Sequence, residues 1–400
     1  MKKSLIFGAA LMLVGAFAFQ SCANESKPGV PTEAAIDNGT ELADVIVSHA
    51  KDGVLALPKN VVELNVSADL DLSQVEIQNE SPLILNVAGG VKITLGKNLN
   101  NVSINGNAEA PATIEATEAV EISGTEEAPI GIANANFNVA KGITIENAII
   151  DASAVDGALV TMAETPVIEK NAKEAYIIDA ITLKNVAIAG VTGSIYWDHK
   201  VKYGVSAFTI DNCVIALNTN TKNINNESVI ACEAGGFKDF TIKNSTVYNT
   251  SEKGAKYFLR YNNNGRLDNL GYDKSTETQT WTYNNNTFYK TIDNSDGQWG
   301  NGPNGQSYMS YDVQNNIWVD TSKDIIRRLC NGRYNTELLV FANNTYWRDG
   351  AALNESSYDK SGTALATDPA FEDAANADFT PTGADQVSKK TGDPRWFAAE

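Results

Sequence analysis

A strand-like phrase returns along this chain and limits its fold more than any other feature. It consists of two apolar residues flanking a polar one, a variable residue, then Asn and a further apolar patch. It reads Ile143-Thr144-Ile145-Glu146-Asn147, Ile181-Thr182-Leu183-Lys184-Asn185, Phe208-Thr209-Ile210-Asp211-Asn212 and Phe240-Thr241-Ile242-Lys243-Asn244. Looser copies follow at Trp281-Thr282-Tyr283-Asn284-Asn285, Tyr311-Asp312-Val313-Gln314-Asn315 and Val340-Phe341-Ala342-Asn343. The aligned asparagines are 38, 27, 32, 41, 30 and 28 residues apart. A strand phrase recurring at roughly 20–50 residues marks a solenoid or a propeller. A propeller needs four antiparallel strands per blade and tight Asn-Gly hairpins, and those are largely missing. The expectation is therefore an all-β chain wound as a single-stranded parallel β-helix.

Within each phrase, alternation sends every second side chain inward, and Asn suits the bend because it tolerates left-handed backbone. Stacked turns would set these asparagines about 4.8 Å apart, close enough for an amide ladder. Earlier in the chain, short apolar strands are expected at 61–66, 83–87, 91–95, 102–104 and 120–122.

The intervals also act as a ruler. A bare turn needs roughly 20–29 residues. Surplus loops are thus expected near Ala163 to Ala175, from Tyr261 to Gln279, and from Asp293 to Tyr308. Loops on a rigid scaffold commonly carry the binding face.

The N-terminus carries a targeting signal. Lys2 and Lys3 precede an apolar run from Leu5 to Phe19 that is too short for a comfortable membrane span. Gln20-Ser21-Cys22 follows, and a small residue before Cys resembles a bacterial lipoprotein cleavage site with Cys22 lipidated. Residues 1–21 read as signal peptide, 22–37 as a flexible tether and 38–400 as the β-helix. After the tether, Thr40 is placed to cap a short helix with Leu42, Val45, Ile46 and His49 on one face. Asp52-Gly53 ends it, and Val54 to Leu57 forms the first strand. This order of helix, Gly, strand and Pro resembles the opening of many right-handed parallel β-helix proteins, in which the helix covers the open end of the apolar core.

The remaining cysteines, Cys213, Cys232 and Cys330, lack metal-ligand spacing and read as small buried residues. The formal net charge is −18, and loss of Lys2 and Lys3 with the signal makes it −20. That balance argues against nucleic acid, which requires clustered Lys and Arg. A local Arg cluster could still receive an anionic glycan.

Near the end, Thr367-Asp368-Pro369-Ala370-Phe371-Glu372-Asp373-Ala374-Ala375-Asn376-Ala377-Asp378-Phe379 resembles the segment that closes many secreted pectin-lyase-like β-helix proteins. Gly392-Asp393-Pro394-Arg395-Trp396 looks like the end of the lipoprotein branch of that group, which is associated with starch-utilisation-type glycan systems. Together with the opening helix and the repeats, the resemblance covers residues 38–396, with sub-regions about 38–225 and 226–400. It implies a right-handed parallel β-helix on an outer-membrane lipoprotein, displayed at the cell surface, for polysaccharide capture beside other glycan-uptake proteins. It implies no activity.

Motifs for chemistry are incomplete. Trp197-Asp198-His199 invites comparison with the Trp-x-Asp-His string of pectate lyases, but is one residue short, and the downstream Arg-x-Pro-x-x-Arg is missing. Asp198 and His199 are thus the only lyase-like candidates. The paired-carboxylate strings of glycoside hydrolases on this fold are absent, as is a Gly-x-Ser-x-Gly elbow. Arg260, Arg327, Arg328 and Arg333 could pair bidentately with uronate carboxylates or bridge internally to Asp and Glu. Trp197, Trp299 and Tyr308 offer flat faces on which sugar rings stack, with Trp299 foremost because its Gly-Asn surroundings lack apolar neighbours. No cofactor is required. Asp293 and Asp296 offer oxygen ligands for Ca²⁺ without EF-hand spacing.

The expected function is polysaccharide binding without cleavage, with the membrane engaged through the lipid anchor alone. Its alternatives are a divergent polysaccharide lyase acting on a uronate glycan and a structural surface protein or adhesin.

Overall fold

The computed structural model describes residues 35–96, 98–164, 173–218, 228–252, 254–261, 263–293, 298–301, 306–321, 329, 336–353 and 359–397. The signal, Cys22, Cys330, Arg327, Arg328 and Arg333 lie outside the described residues. Among the described residues no helix is long and apolar enough to cross a membrane. The chain is all-β with long parallel sheets and divides into two units, 1–154 and 155–400.

In the first unit the helix Leu42–His49 buries Leu42, Ala43 and Val45. Its start differs from the expectation. The Thr40 hydroxyl donates to Asp37 O at 2.7 Å, and Glu41 occupies the N-cap without a side-chain cap bond. Strand Val54–Leu57 follows as expected and pairs in parallel with Glu76–Asn79. Three parallel stacks then build up. Glu63–Val66, Leu83–Val87, Val102–Asn105, Ile130–Ala133 and the second half of Gly142–Asp151 form one. Leu70–Asp71, Lys92–Leu95, Ala112–Ala116 and Ala135–Val139 form another. Leu99–Asn100, Ala119–Ser123 and the first half of Gly142–Asp151 form the third. The chain visits the stacks in a fixed cyclic order, so each pairing joins successive turns. Strict alternation makes the core aliphatic: Leu83, Leu85 and Val87 turn inward while Ile84 and Asn86 stay half-exposed.

The second unit repeats this plan with larger side chains. One stack contains Ala158–Met162, Ser194–Trp197, Ser228–Ala231, Tyr257–Arg260 and Gln298–Asn301. The recurring phrases supply a second, with Phe208, Phe240, Trp281 and Tyr311 in register. Beyond each phrase the chain bends into a third stack, in which Val247, Phe288, Trp318 and Tyr346 align. The aligned rings pack on one another. Phe208 and Phe240 stack at 5.4 Å, Phe288 and Trp318 at 5.4 Å, and Trp318 and Tyr346 at 5.3 Å between centroids. Such rings bury large apolar areas.

The bend itself is made by the repeated Asn. Asn147, Asn185, Asn212, Asn244, Asn285, Asn315 and Asn343 all have φ between 50° and 57°. Their amides form the expected ladder in part: Asn212 to Asn185 at 2.8 Å, and Asn285 to Asn244, Asn315 to Asn285 and Asn343 to Asn315 at 3.1 Å each. A second, buried column lies one residue on. Asn286 donates to Asn316 Oδ1 at 2.8 Å, and Asn316 to Asn344 Oδ1 at 3.0 Å. Each also satisfies a strand-end carbonyl: Ile242, Tyr283 and Val313 for Asn286, Asn316 and Asn344. Ser245 and Cys213 continue this column, with Cys213 N–H donating to Ser245 Oγ at 3.0 Å. These side chains accept the backbone N–H groups that the bend leaves without a ladder partner.

The expected surplus loops are less free than the intervals imply. Leu267 and Leu270 are buried around the short turns Asn263–Gly265 and Leu267–Asn269. The Asp293–Tyr308 stretch contributes the strand Gln298–Asn301. In the 163–175 loop, 165–172 lie outside the described residues.

The C-terminal segment runs back across the second unit. Phe371–Asp373 and Asp378–Pro381 form an antiparallel pair that buries Phe379 against Tyr248 and Tyr289. From the helix Ala384–Lys389 onward, Gln386 donates to Thr345 Oγ1, Thr391 to Asn343 O and Gly392 N–H to Asn315 O. Asp393 N–H reaches Thr287 Oγ1 and Trp396 Nε1 reaches Thr246 Oγ1. The strap thus meets the turns in reverse sequence order.

Candidate functional site

The expected Trp-Asp-His corner lies where strand Ser194–Trp197 ends. His199 and Lys200 both take left-handed backbone, with φ of 52° and 63°. Asp198 is fully buried: its Oδ2 accepts the Ala234 and Gly235 N–H groups at 2.7 Å each, and its Oδ1 accepts Lys200 N–H at 3.0 Å. Gly235 is required opposite it, since a Cβ there would meet Tyr203 O at 2.1 Å. Burial pushes the Asp198 carboxyl up despite these backbone bonds, which act the other way. A carboxylate sealed under two peptide groups ties one turn to the next. This corrects its place among the lyase-like candidates, because substrate cannot reach it.

Its neighbours remain accessible. The His199 ring stands edge-on to Trp197, with centroids 4.3 Å apart, and its Nδ1 lies 3.3 Å from Glu164 Oε1. Trp197 is partly exposed and donates from Nε1 to Glu233 Oε1 at 3.0 Å. The strand register then brings a second candidate into line. Trp197 pairs with Ala231, and Ala231 pairs with Arg260. Two strand spacings put the Trp197 and Arg260 backbones about 10 Å apart. Ala231 between them is fully buried, so the partly exposed indole and guanidinium stand at either end of this line. Arg260 is partly exposed and lies over the Tyr257 ring, 4.9 Å from its centroid. An indole with an imidazole packed edge-on to it, and a guanidinium two strands away, can stack on a sugar ring and hydrogen-bond its substituents. Among the described residues no group of three or more His, Cys, Asp and Glu side chains is gathered to hold a metal.

The other aromatic candidates are elsewhere. Trp299 is fully buried, stacked on Phe258 at 4.1 Å and 8° and edge-on to Phe288 and Trp318. This corrects the reading of it as an exposed platform: its apolar neighbours come from other turns, through the pairing of Gln298–Asn301 with Tyr257–Arg260. Tyr308 is 8 % exposed, with burial pushing its hydroxyl up to about 12, so it too offers no open face. Of the arginine group, Arg260 alone is described. Sequence reasoning missed Glu233, which orients the Trp197 indole, and Ala231, the register partner of both Trp197 and Arg260. Neither belongs to a motif. Only the register reveals them, and the unequal repeat intervals hide it.

Two family models match the chain, each described as a domain of unknown function: DUF4957 over residues 106–250 and DUF5123 over residues 281–396. No curated protein and no solved structure matches it.

Proposed function

We propose that this chain is a right-handed parallel β-helix, pectin-lyase-like in plan, that is anchored at Cys22 to the outer membrane and binds polysaccharide without cleaving it. The cyclic order in which the chain visits its parallel stacks supports the winding. The alignment of Trp197, Ala231 and Arg260 on one register line carries the functional reading. The guanidinium supplies a bidentate partner for a uronate carboxylate, and the indole supplies an apolar face for the neighbouring ring. Burial of Asp198 removes the carboxylate best placed by sequence to assist proton abstraction, which favours binding over turnover.

Calorimetric titration of the protein with oligogalacturonate and with neutral oligosaccharides tests this. Arg260→Ala should weaken oligogalacturonate binding about tenfold or more, and Trp197→Ala should do the same. No uronate binding by the wild type, or binding that both variants leave unchanged, sinks the reading. A rise in ultraviolet absorbance from unsaturated uronate products would replace it with a lyase. Cys22→Ser should release the protein from membranes, and retention would remove the anchor.

A further inference from the structure

The first unit contains a groove of about 360 Å³ lined by Asn65, Asn86, Asn105, Ser67, Ala88 and Asn107. Three of these are register neighbours, since Asn65 pairs with Asn86 and Asn86 with Asn105. Their amides therefore recur at the strand spacing of about 4.8 Å. Unlike the asparagines at the bends of the second unit, these three are not joined to one another amide to amide. Each is held from one side instead. Asn65 Nδ2 donates to Gly39 O at 2.5 Å, and Asn86 Nδ2 to Glu63 Oε1 at 2.7 Å. Asn105 Oδ1 accepts from Asn134 Nδ2 at 3.4 Å. That arrangement orients the side chains and leaves the Oδ1 atoms of Asn65 and Asn86 and the Nδ2 of Asn105 for other partners. All three residues are partly exposed, and Ser67, Ala88 and Asn107 open the opposite side to solvent.

We infer that this groove is a binding site for a neutral, hydroxyl-rich chain, most simply an uncharged oligosaccharide lying across successive turns. Sugar hydroxyls donate to the two carbonyl oxygens and accept from the amide nitrogen, which an apolar ligand cannot do. An anion is disfavoured on three counts. Among the described residues no cation lines the groove. Glu63 and Glu41 stand at its edge, bonded to Asn86 and Ser67. Residues 35–154 hold five lysines and no arginine against seventeen acidic residues, a field that repels negative charge. The groove volume falls at the lower end of the range for ligand sites, which suits a short glycan segment. The ligand class rests on the glycan-binding reading, but the site is separate from the Trp197–Arg260 line in residues and in preferred charge.

The test titrates the full-length protein with neutral glucan and xylan oligosaccharides and, in parallel, with oligogalacturonate. Ala88→Trp fills the groove from an exposed position without removing a hydrogen bond, and Asn86→Leu deletes its central amide. Both should weaken the neutral oligosaccharide about tenfold or more and leave oligogalacturonate unchanged, whereas Arg260→Ala should do the reverse. Circular dichroism checks that each variant is folded, and Ala88→Trp carries the test if Asn86→Leu is not. Absence of neutral binding, neutral binding that Ala88→Trp leaves intact, or a peptide competing for the groove overturns the inference. Failure of the uronate arm alone overturns only the Trp197–Arg260 reading.

Discussion

Arg395 donates from Nη2 to Asn212 Oδ1 at 2.9 Å, across 183 residues of sequence. The same nitrogen lies 3.3 Å from Cys213 O and 3.2 Å from Asn244 O. With Asn212 Oδ1 so occupied, Asn244 Nδ2 turns to Asp211 Oδ1 at 3.1 Å, and the asparagine ladder is interrupted at that turn. The end of the chain thus completes hydrogen bonding that the repeat begins. Asp393, fully buried, holds the guanidinium through Nε at 2.5 Å and accepts the Thr246 hydroxyl at 2.7 Å.

Removing the guanidinium should therefore leave a buried carboxylate without its partner. Arg395→Ala is expected to cost about 1–3 kcal/mol, as for a buried acceptor that loses a charged donor, since Arg395 itself is exposed and Asp393 keeps the Thr246 hydroxyl. Asp393→Asn combined with Arg395→Met should cost less, because no charge is then stranded. Urea unfolding of the three proteins checks this, and equal losses in both variants would mean that the pair is not coupled.

The buried thiols give a prediction in pH. Burial pushes Cys213 up to about 12 and Cys232 well above its ordinary value, so both stay neutral and shielded in the folded chain. Each should react with a thiol reagent in urea and hardly at all when folded. Because the folded pKa is raised, the native state keeps its proton where the unfolded chain loses it. Stability linked to Cys213 therefore falls as pH rises from the ordinary value near 9 toward about 12. Cys213→Ser should remove that part of the slope at a cost below about 1.5 kcal/mol, since Ser245 fills the equivalent place in the next turn.

Trp299 should behave as core. Trp299→Ala is expected to cost about 3–5 kcal/mol by opening a cavity among Phe258, Phe288 and Trp318, and Trp299→Phe distinctly less. Thermal unfolding measures this. Glycan affinity per folded molecule should be unchanged, and a selective loss of affinity at unaltered stability would return Trp299 to the binding site.

The two asparagine columns should respond differently. At Asn285, φ is 57°, so Ala adds backbone strain of about 1–2 kcal/mol to the loss of two ladder bonds, whereas Gly loses the bonds without that strain. At Asn316, Ala deprives Asn286, Asn344 and Tyr283 O of partners in a buried setting and should cost about 3 kcal/mol or more. The expected order of stability is Asn285→Gly, then Asn285→Ala, then Asn316→Ala. An Asn316 variant as stable as the Asn285 pair would make the inner column ornamental.

Much of the architecture was legible because it is periodic. Alternation in Phe240-Thr241-Ile242 dictates which faces are buried, and Asn at the bend follows from its tolerance of left-handed backbone. The strand Val54–Leu57 and the helix Leu42–His49 followed from local spacing and the Asp52-Gly53 turn. The inner column was hidden, because Cys213, Ser245, Asn286, Asn316 and Asn344 share a position but not a residue type. Trp299 was misread for a related reason: a local Gly-Asn context says nothing of the apolar rings that neighbouring turns bring to it.

The site shows the same division. Trp197 and Arg260 were recognisable as residue types able to meet a sugar, and His199 as a lyase-like candidate, yet their grouping depended on register across turns of unequal length. The sequence by itself determined the repeating unit, its inward faces and its bend, since these depend on residues a few positions apart. Only the tertiary structure decided which aromatic rings are core, that Asp198 is sealed beneath Ala234 and Gly235, and that Arg395 closes on Asn212. Each of those outcomes depends on contacts between residues tens to hundreds of positions apart, where packing density and buried hydrogen-bond demand, not local preference, set the arrangement.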